Sequence, residues 1–194
     1  MNVLIIPENH KRDQYILKPI IESMMASVGR PSAYVRVCQN PTLRGILQAM
    51  DSERIRSIIG QNRQVHLFLL CVDRDDDNGR RALLDALEDK CAPGLKAGAT
   101  LLPEHAHQEI EVWALAVMQD LPSHWKWPDV RSARDPKEHY FEPYVRQRGL
   151  QLSPENGYTI LGKEAATNYK SIRGRCEEVK NLETRIQQWL ASRP

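Results

Sequence analysis

Acidic residues follow directly on the most apolar stretch of this sequence, VHLFLLCV at positions 65–72. They are Asp73, Asp75, Asp76 and Asp77. Asp73 and Asp75 form a DxD pair, and alternate side chains of an extended strand end point the same way. Because such close carboxylates repel one another, and because Mg²⁺ and Mn²⁺ prefer oxygen ligands, the pair predicts a divalent-metal site. The competing interpretation is a solvated acidic turn, since acids also stabilise the N-terminus of a following helix.

Two further acidic elements extend this pattern. Glu8 ends the first apolar run, VLIIP, and Glu111 lies in QEIEVWALAV beside an apolar helical stripe. Taken alone, Glu111 is more simply interpreted as an ordinary exposed residue. In parallel sheets, however, ligands bind at the carboxyl ends of the strands, so Glu8 and Asp73 are expected at the same sheet edge. Asp77 is an additional expected ligand in this scheme, and Asp76 is assigned to the cap of the next helix.

Strand and helix patterns alternate through the first 120 residues. Short apolar or alternating runs predict strands at residues 3–7, 33–38, 65–72 and 98–102. Apolar residues at helical spacing predict helices at residues 13–28, 41–59, 78–91 and 109–118. This order is typical of an α/β protein whose mostly parallel sheet is flanked by helices.

The segment from 121 to 194 differs from this core. Residues 121–143 contain several prolines and aromatic residues, which predicts a long functional loop. From residue 162 onwards the pattern is again helical and strongly charged. We therefore divide the chain into an α/β core, residues 1–120, and a loop and helical C-terminal extension, residues 121–194, that packs on the core within one domain.

Composition narrows the class of protein. The chain has 194 residues, of which 41% are hydrophobic, and no apolar run approaches the roughly 20 residues that cross a bilayer. The start, MNVLIIPENH, predicts a strand rather than a signal peptide, and no two of the four cysteines have CxxC spacing. We expect a reduced, cytoplasmic protein without membrane association. The net charge of +2 does not identify a partner.

Together, Glu8, the DxD pair and the EIEVWALA segment resemble the TOPRIM fold of topoisomerases, primases and OLD-family nucleases. The order of these motifs along the chain resembles in particular that of the small stand-alone TOPRIM-like proteins grouped as the DUF4276 family. The C-terminal region, with Tyr158, Lys163 and RGRCEEVKNLETRIQQWL, is similar to that family as well. The resemblance covers most of the chain, although its motifs are short.

The resemblance implies roles for individual residues. Glu8 matches the TOPRIM glutamate, which binds metal or acts as a general acid or base, and Asp73 and Asp75 match the metal-binding DxD. Glu111 matches the glutamate that precedes the helix tryptophan, and Lys163 is the candidate cation for the phosphate. The expected catalytic residues are Glu8, Asp73, Asp75, Glu111 and Lys163, and the expected metal ligands are Glu8, Asp73, Asp75, Asp77 and Glu111. One departure is Asn9, which stands where the family has a glycine and is expected to tolerate a left-handed turn.

The function implied is Mg²⁺- or Mn²⁺-dependent cleavage of DNA or RNA. Relatives of this kind often work with an ABC/AAA-type ATPase in anti-phage defence, so the resemblance also implies such a partner. A catalytically degenerate subunit that serves this ATPase as a sensor or scaffold is the alternative. A receiver-like phospho-acceptor domain is a further rival, although the pair Glu8–Asn9 fits its acidic requirement poorly. Homo-oligomerisation is compatible with the sequence.

The distribution of basic residues leaves two interpretations open. Several lie close together in the C-terminal third and could follow a nucleic-acid backbone. A mixed charged surface is the other interpretation, because acidic residues lie among them. The basic residues concerned are Arg131, Arg134, Lys137, Arg146, Arg148, Lys170, Arg173 and Arg175.

Overall fold

A single parallel sheet organises the molecule. The computed structural model describes residues 1–193, apart from the side chain of Pro154; Pro194, the last residue of the predicted extension, lies outside the described residues. The strands are β1 (Asn2–Pro7), β2 (Tyr34–Val37), β3 (Leu67–Asp73) and β4 (Thr100–Ala106). Their order across the sheet is β2-β1-β3-β4, and every neighbouring pair is parallel. The predicted parallel sheet is therefore confirmed.

Ten α-helices flank this sheet or follow it within residues 1–193. They are α1 (His10–Ser27), α2 (Ile46–Ala49), α3 (Ser52–Gln61), α4 (Arg80–Cys91), α5 (Glu111–Leu115), α6 (Trp127–Ser132), α7 (Glu142–Gln147), α8 (Tyr158–Thr167), α9 (Tyr169–Arg175) and α10 (Glu177–Ala191). This arrangement confirms the α/β class with a helical C-terminal part, and it is consistent with a TOPRIM-like fold. Within residues 1–193, none of the helices has the length and apolar character that crossing a membrane requires.

Both faces of the sheet are buried, which explains why its central strands are almost continuously apolar. Val3 and Ile5 of β1 face a core shared with α1 and the C-terminal helices, whereas Leu4 and Ile6 face a second core shared with α3 and α4. The first core contains residues from both halves of the chain, among them Leu182 of α10. The N-terminal and C-terminal parts are thus joined by one continuous apolar cluster.

The strand order creates a switch point between β1 and β3. The chain leaves β1 toward β2 on one side and later passes to β3 on the other side of β1. The connecting helices consequently lie on opposite faces of the sheet, α1 on one and α3 on the other. A crevice forms outside the carboxyl ends of two strands whose connections diverge in this way. The residues that follow β1 and β3 therefore lie at the position where α/β proteins bind ligands.

Several predicted elements have different limits in the structure. The predicted helix at 41–59 is two helices, α2 and α3. The side chain of Asp51 accepts hydrogen bonds from the amides of Glu53 and Arg54 and so caps the N-terminus of α3. The predicted helix at 109–118 is regular only over α5. The predicted loop at 121–143 contains α6 and a π-helical turn, Lys137–Phe141, that leads into α7.

Helices α1 and α8 pack unusually closely. Gly162 of α8 lies against the backbone of α1, where a methyl group at its position would be 2.1 Å from the carbonyl oxygen of Tyr15. An obstacle of backbone atoms cannot move aside as a flexible side chain can. The contact requires glycine at this position and fixes the C-terminal extension to the first turns of α1.

We predict that Gly162→Ala lowers the free energy of unfolding by about 1–3 kcal/mol or more, because α1 and α8 must separate to admit the methyl group. Gly174→Ala is the matched control, since Gly174 is also helical but no atom lies within 4 Å of an added methyl group. The control should be neutral or stabilising by up to about 1 kcal/mol. Urea unfolding measures both, and equal effects of the two substitutions would contradict the packing argument.

Candidate functional site

Glu8 and Asp73 meet at the switch point of the sheet. Glu8 directly follows β1, and Asp73 is the last residue of the adjacent strand β3. The Glu8 amide donates to the carbonyl oxygen of Cys71 at 3.0 Å, and its Oε2 accepts from the Asp73 amide at 3.1 Å. Asp73 Oδ1 in turn accepts from the amide of Ile110 at 2.9 Å. Main-chain hydrogen bonds thus hold both predicted carboxylates at the expected edge.

Two more acids complete what we call the carboxylate cluster, defined as Glu8, Asp13, Asp73 and Glu111. Asp13 in the first turn of α1 and Glu111 at the start of α5 are each only 4% exposed. Asp13 Oδ2 accepts from the Asn9 amide at 3.0 Å, and the hydroxyl of Tyr158 donates to Glu111 Oε1. The sequence prediction included Glu111 but missed Asp13.

The cluster shifts the protonation of its members. Burial, together with the negative charges of Glu111 and Glu8, raises the pKa of Asp13 to about 8, although the Asn9 amide opposes the shift. Burial likewise raises the pKa of Asp73 well above its ordinary value, and the charges of Glu111, Asp13 and Glu8 add to it. The pKa of Glu8 is raised mainly by burial. At neutral pH, Asp13 therefore holds its proton unless a cation compensates its charge, and the same causes favour the protonated form of Asp73.

One lysine approaches the carboxylate cluster. Lys137 Nζ lies 4.0 Å from Glu111 Oε1, and the Lys137 amide donates to Glu109 Oε2 at 2.8 Å. Lys163, the lysine expected from the resemblance, is instead exposed on α8. Within the described part of the chain, no hydrogen bond or ion pair joins its ammonium group to a carboxylate. The geometry thus favours Lys137 over Lys163 as the cation of the site.

The DxD pair does not have the geometry that the sequence suggested. Strand β3 ends at Asp73, and Asp75 has a left-handed backbone with φ of 50°, so the alternation of an extended strand does not apply to it. Asp75 lies at the rim of the cluster, near Glu8 and the guanidinium of Arg80. Burial raises the pKa of Asp75, whereas Arg80 opposes this. Asp73 and Asp75 thus contribute from different positions.

Neither of the remaining two acids of the segment has the position expected for it. Asp77 Oδ1 accepts from the Gly79 amide at 2.9 Å and its Oδ2 lies 3.6 Å from Arg80, so it stabilises the turn into α4 rather than joining the cluster. Asp76, which was assigned to the cap, accepts instead from the side-chain amide of Gln108 at 2.6 Å. The structure therefore does not bring Asp77 together with the other expected ligands.

The backbone conformation of the turn after Glu8 also differs from the expected one. Asn9 has an extended backbone with φ of −117°, so the position does not need the left-handed conformation for which asparagine or glycine would be favoured. Its side chain accepts from the Lys11 amide at 3.2 Å and caps α1. The asparagine side chain therefore helps to start α1, while the backbone amide of the same residue orients Asp13.

The donor atoms fit a hard divalent cation in their chemistry, because all four members of the cluster offer carboxylate oxygens. Their present orientation does not form a finished coordination site. Among residues 1–193, no three Asp, Glu, His or Cys side chains converge on one point at metal-ligand distances. The reason lies in the hydrogen bonds: Glu8 is turned toward an amide, Asp73 toward another amide, and Glu111 toward Tyr158.

Most of the basic residues considered for nucleic-acid binding are paired with acids. Six of the eight lie within 4.0 Å of a carboxylate oxygen. Arg131 with Glu178 and Arg148 with Glu164 are the shortest such contacts apart from that of Arg173, each at 2.6 Å. This pairing favours the mixed charged surface over a continuous basic stripe.

The molecule thus belongs to the class of α/β proteins with a parallel sheet and an acidic site at the switch point of that sheet. No family model matches the chain, and no curated protein or solved structure shows detectable similarity to it. The resemblance to TOPRIM proteins therefore rests on the short motifs around Glu8, Asp73 and Glu111.

The pH dependence of stability tests the buried carboxylate cluster. The folded protein retains the Asp13 proton up to about pH 8, whereas the unfolded chain releases it near the ordinary value of 3.8. Below pH 3.8, Asp13 therefore contributes nothing to the pH dependence of the free energy of unfolding. As the pH rises from there, its contribution becomes progressively unfavourable, and it levels off above about pH 8.

We predict that Asp13→Asn stabilises the metal-free protein at neutral and alkaline pH and reduces the loss of stability between about pH 5 and pH 9, by at most about 1.4 kcal/mol per pH unit. Unfolding is measured in EDTA across this range. Asp89→Asn, at an exposed position of α4, is the control and should leave the pH profile unchanged. Parallel profiles for the wild type and Asp13→Asn would contradict the assignment.

Proposed function

We propose that this protein is a metal-dependent nuclease that cleaves phosphodiester bonds with Mg²⁺ or Mn²⁺. The observation that supports this most directly is the meeting of Glu8, Asp13, Asp73 and Glu111 at the switch point, next to Lys137. Four clustered carboxylates, of which Asp13 and Glu111 are buried, outnumber the nearby cations Lys137 and Arg80, and a divalent cation would neutralise the excess negative charge. The TOPRIM resemblance supports the same activity.

In this proposal Glu8, Asp73 and Glu111 hold the metal, with Asp75 at the rim. When bound, the metal lowers the pKa of a coordinated water and stabilises charge on the leaving oxygen. In the metal-free protein, burial and the neighbouring carboxylates raise the pKa of Asp13 to about 8, and a cation held by Glu8 and Glu111 would favour loss of this proton. Lys137 carries the positive charge that would orient a phosphate. Tyr158 positions Glu111 through its hydroxyl.

The partners follow from the same resemblance. We propose DNA or RNA as the substrate, a cytoplasmic location, and an ATPase of the ABC/AAA type as the subunit that controls cleavage, in an anti-phage system.

A second function is favoured by one specific observation. Backbone amides donate to Glu8 and Asp73, and Tyr158 donates to Glu111. In this arrangement the three carboxylates do not converge on one point at metal-ligand distances. A subunit that keeps the fold but serves the ATPase as a sensor or scaffold would need no convergence. The two functions differ in whether the purified complex cleaves nucleic acid.

We predict that the protein, alone or with an ATPase encoded beside it, cleaves plasmid, single-stranded DNA or tRNA in Mg²⁺ or Mn²⁺, and that Asp73→Asn lowers the rate by at least about a hundredfold because a ligand is lost. Asp89→Asn serves as the control and should retain full activity. Binding of Mn²⁺, followed by electron paramagnetic resonance, should weaken in Asp73→Asn as well. Cleavage that survives this substitution would exclude the proposed site, and a stable ATPase complex without cleavage would favour the scaffold.

A paired substitution distinguishes the two lysines. Lys137→Ala should lower the cleavage rate by about ten- to a hundredfold, because the positive charge beside Glu111 is lost. Lys163→Ala should stay within about twofold of the wild type, because Lys163 is exposed and makes no charge contact with the cluster. Initial rates at saturating substrate measure both. The reverse order of effects would restore Lys163 as the phosphate-binding residue.

A further inference from the structure

A separate cavity of about 350 Å³ lies beside the carboxylate cluster, between the first turn of α1 and the segment 141–158. Its wall includes Arg12, Phe141, Val145, Gln151, Asn156 and Tyr158. We propose that this cavity binds one unpaired nucleobase of a nucleic-acid strand. The proposal rests on the proposed function for its substrate class, and it adds that the substrate is single-stranded or locally unpaired at the site.

The cavity combines an apolar floor with a cationic plane. Phe141, Val145 and Tyr158 are buried and form the floor, and the ring centroids of Phe141 and Tyr158 are 4.7 Å apart. The guanidinium carbon of Arg12 lies 5.7 Å from the centre of the Tyr158 ring. Unpaired bases stack on aromatic rings and on arginine side chains, and this wall offers both. The site therefore favours a flat, polarisable ligand.

Two amide side chains at the mouth can recognise the edge of such a ligand. Gln151 and Asn156 are exposed, and within residues 1–193 neither side-chain amide forms a hydrogen bond with another protein group. An amide offers both a donor and an acceptor, which is the complement of the edges of the bases. The cavity thus has partners for the polar edge of a base as well as for its face.

The backbone that carries Asn156 is held in an uncommon conformation. Glu155 and Asn156 have φ values of 53° and 50°, and the next residue, Gly157, has a φ of 82°. Left-handed non-glycine residues are unfavourable and persist only where the surrounding structure imposes them. Here the segment turns sharply into α8 and places the Asn156 side chain at the cavity while Tyr158 enters its floor. The turn therefore positions two of the contacts that the ligand would use.

The cavity and the carboxylate cluster share Tyr158. This residue forms part of the cavity floor and donates its hydroxyl to Glu111. A base in the cavity would therefore lie on the other side of Tyr158 from Glu111, and we assign it to a nucleotide next to the phosphate at the carboxylates. Base pairing and stacking within a duplex would prevent a base from entering, so an unpaired strand is the expected ligand.

Binding measured in EDTA tests this inference without cleavage. Fluorescence anisotropy compares the affinity of the full chain for a labelled single-stranded oligonucleotide, the same oligonucleotide with abasic positions, and a duplex. We expect the normal single strand to bind at least about tenfold more tightly than the other two. Gln151→Trp should remove this difference by filling the mouth, whereas Gln147→Trp, on the neighbouring helix α7 and outside the cavity, should preserve it.

A smaller substitution keeps the test valid if the tryptophan variant does not fold. Asn156→Gly removes the amide while accepting the positive φ, and should weaken single-strand binding by about fivefold, with thermal unfolding measured in parallel. Equal affinity for normal and abasic strands, no detectable binding, or full binding by both Gln151→Trp and Asn156→Gly would overturn the inference. Cleavage of duplex and abasic strands at the full rate would overturn it while leaving the nuclease proposal intact. Base-dependent binding without cleavage would support base binding in the cavity and contradict the nuclease proposal.

Discussion

The structure depends on the burial of like charges at one end of its sheet. Asp13 and Glu111 are almost fully buried, and Asp73 and Glu8 lie beside them, so each disfavours the ionised form of its neighbours. Three backbone amides offset part of this cost by donating to Glu8, Asp13 and Asp73. The negative charge that these amides do not offset must be neutralised by protons or by a cation. A fold that served stability alone would place apolar side chains here, as it does along the rest of β1 and β3.

The parts of this arrangement that sequence could predict are those fixed locally. The apolar runs located all four strands, and their order along the chain indicated a parallel sheet whose strand ends would carry Glu8 and Asp73. Asp13 could not be found in this way, because an acid in the first turn of a helix is ordinary and only tertiary packing buries it. The expected strand-like geometry of Asp75 was wrong for a related reason, since the left-handed backbone at that residue depends on the turn that follows β3.

The C-terminal half matters more to the site than a division into core and extension suggests. Lys137 comes from the π-helical turn and Tyr158 from the start of α8, and both reach Glu111. Lys137 has no pattern that separates it from other lysines of the chain, and Tyr158 belongs to the C-terminal pattern of the resemblance without a role assigned to it. Tyr158 reaches the site because α8 buries Leu161 in the same core as β1, and Lys137 because its turn buries Phe141 in that core. Packing in the core, rather than a motif, therefore completes the surroundings of Glu111.

The close contact between Gly162 and Tyr15 has a mechanical consequence. Tyr158 and Gly162 are four residues apart on one face of α8, while Asp13 and Tyr15 lie within one turn of α1. Backbone lies against backbone at Gly162, so a displacement of α8 along α1 meets atoms that cannot rotate out of the way. The same helix carries Tyr158 to Glu111. The position of α8, and with it the hydrogen bond to Glu111, is therefore set by a contact one helical turn away from the site.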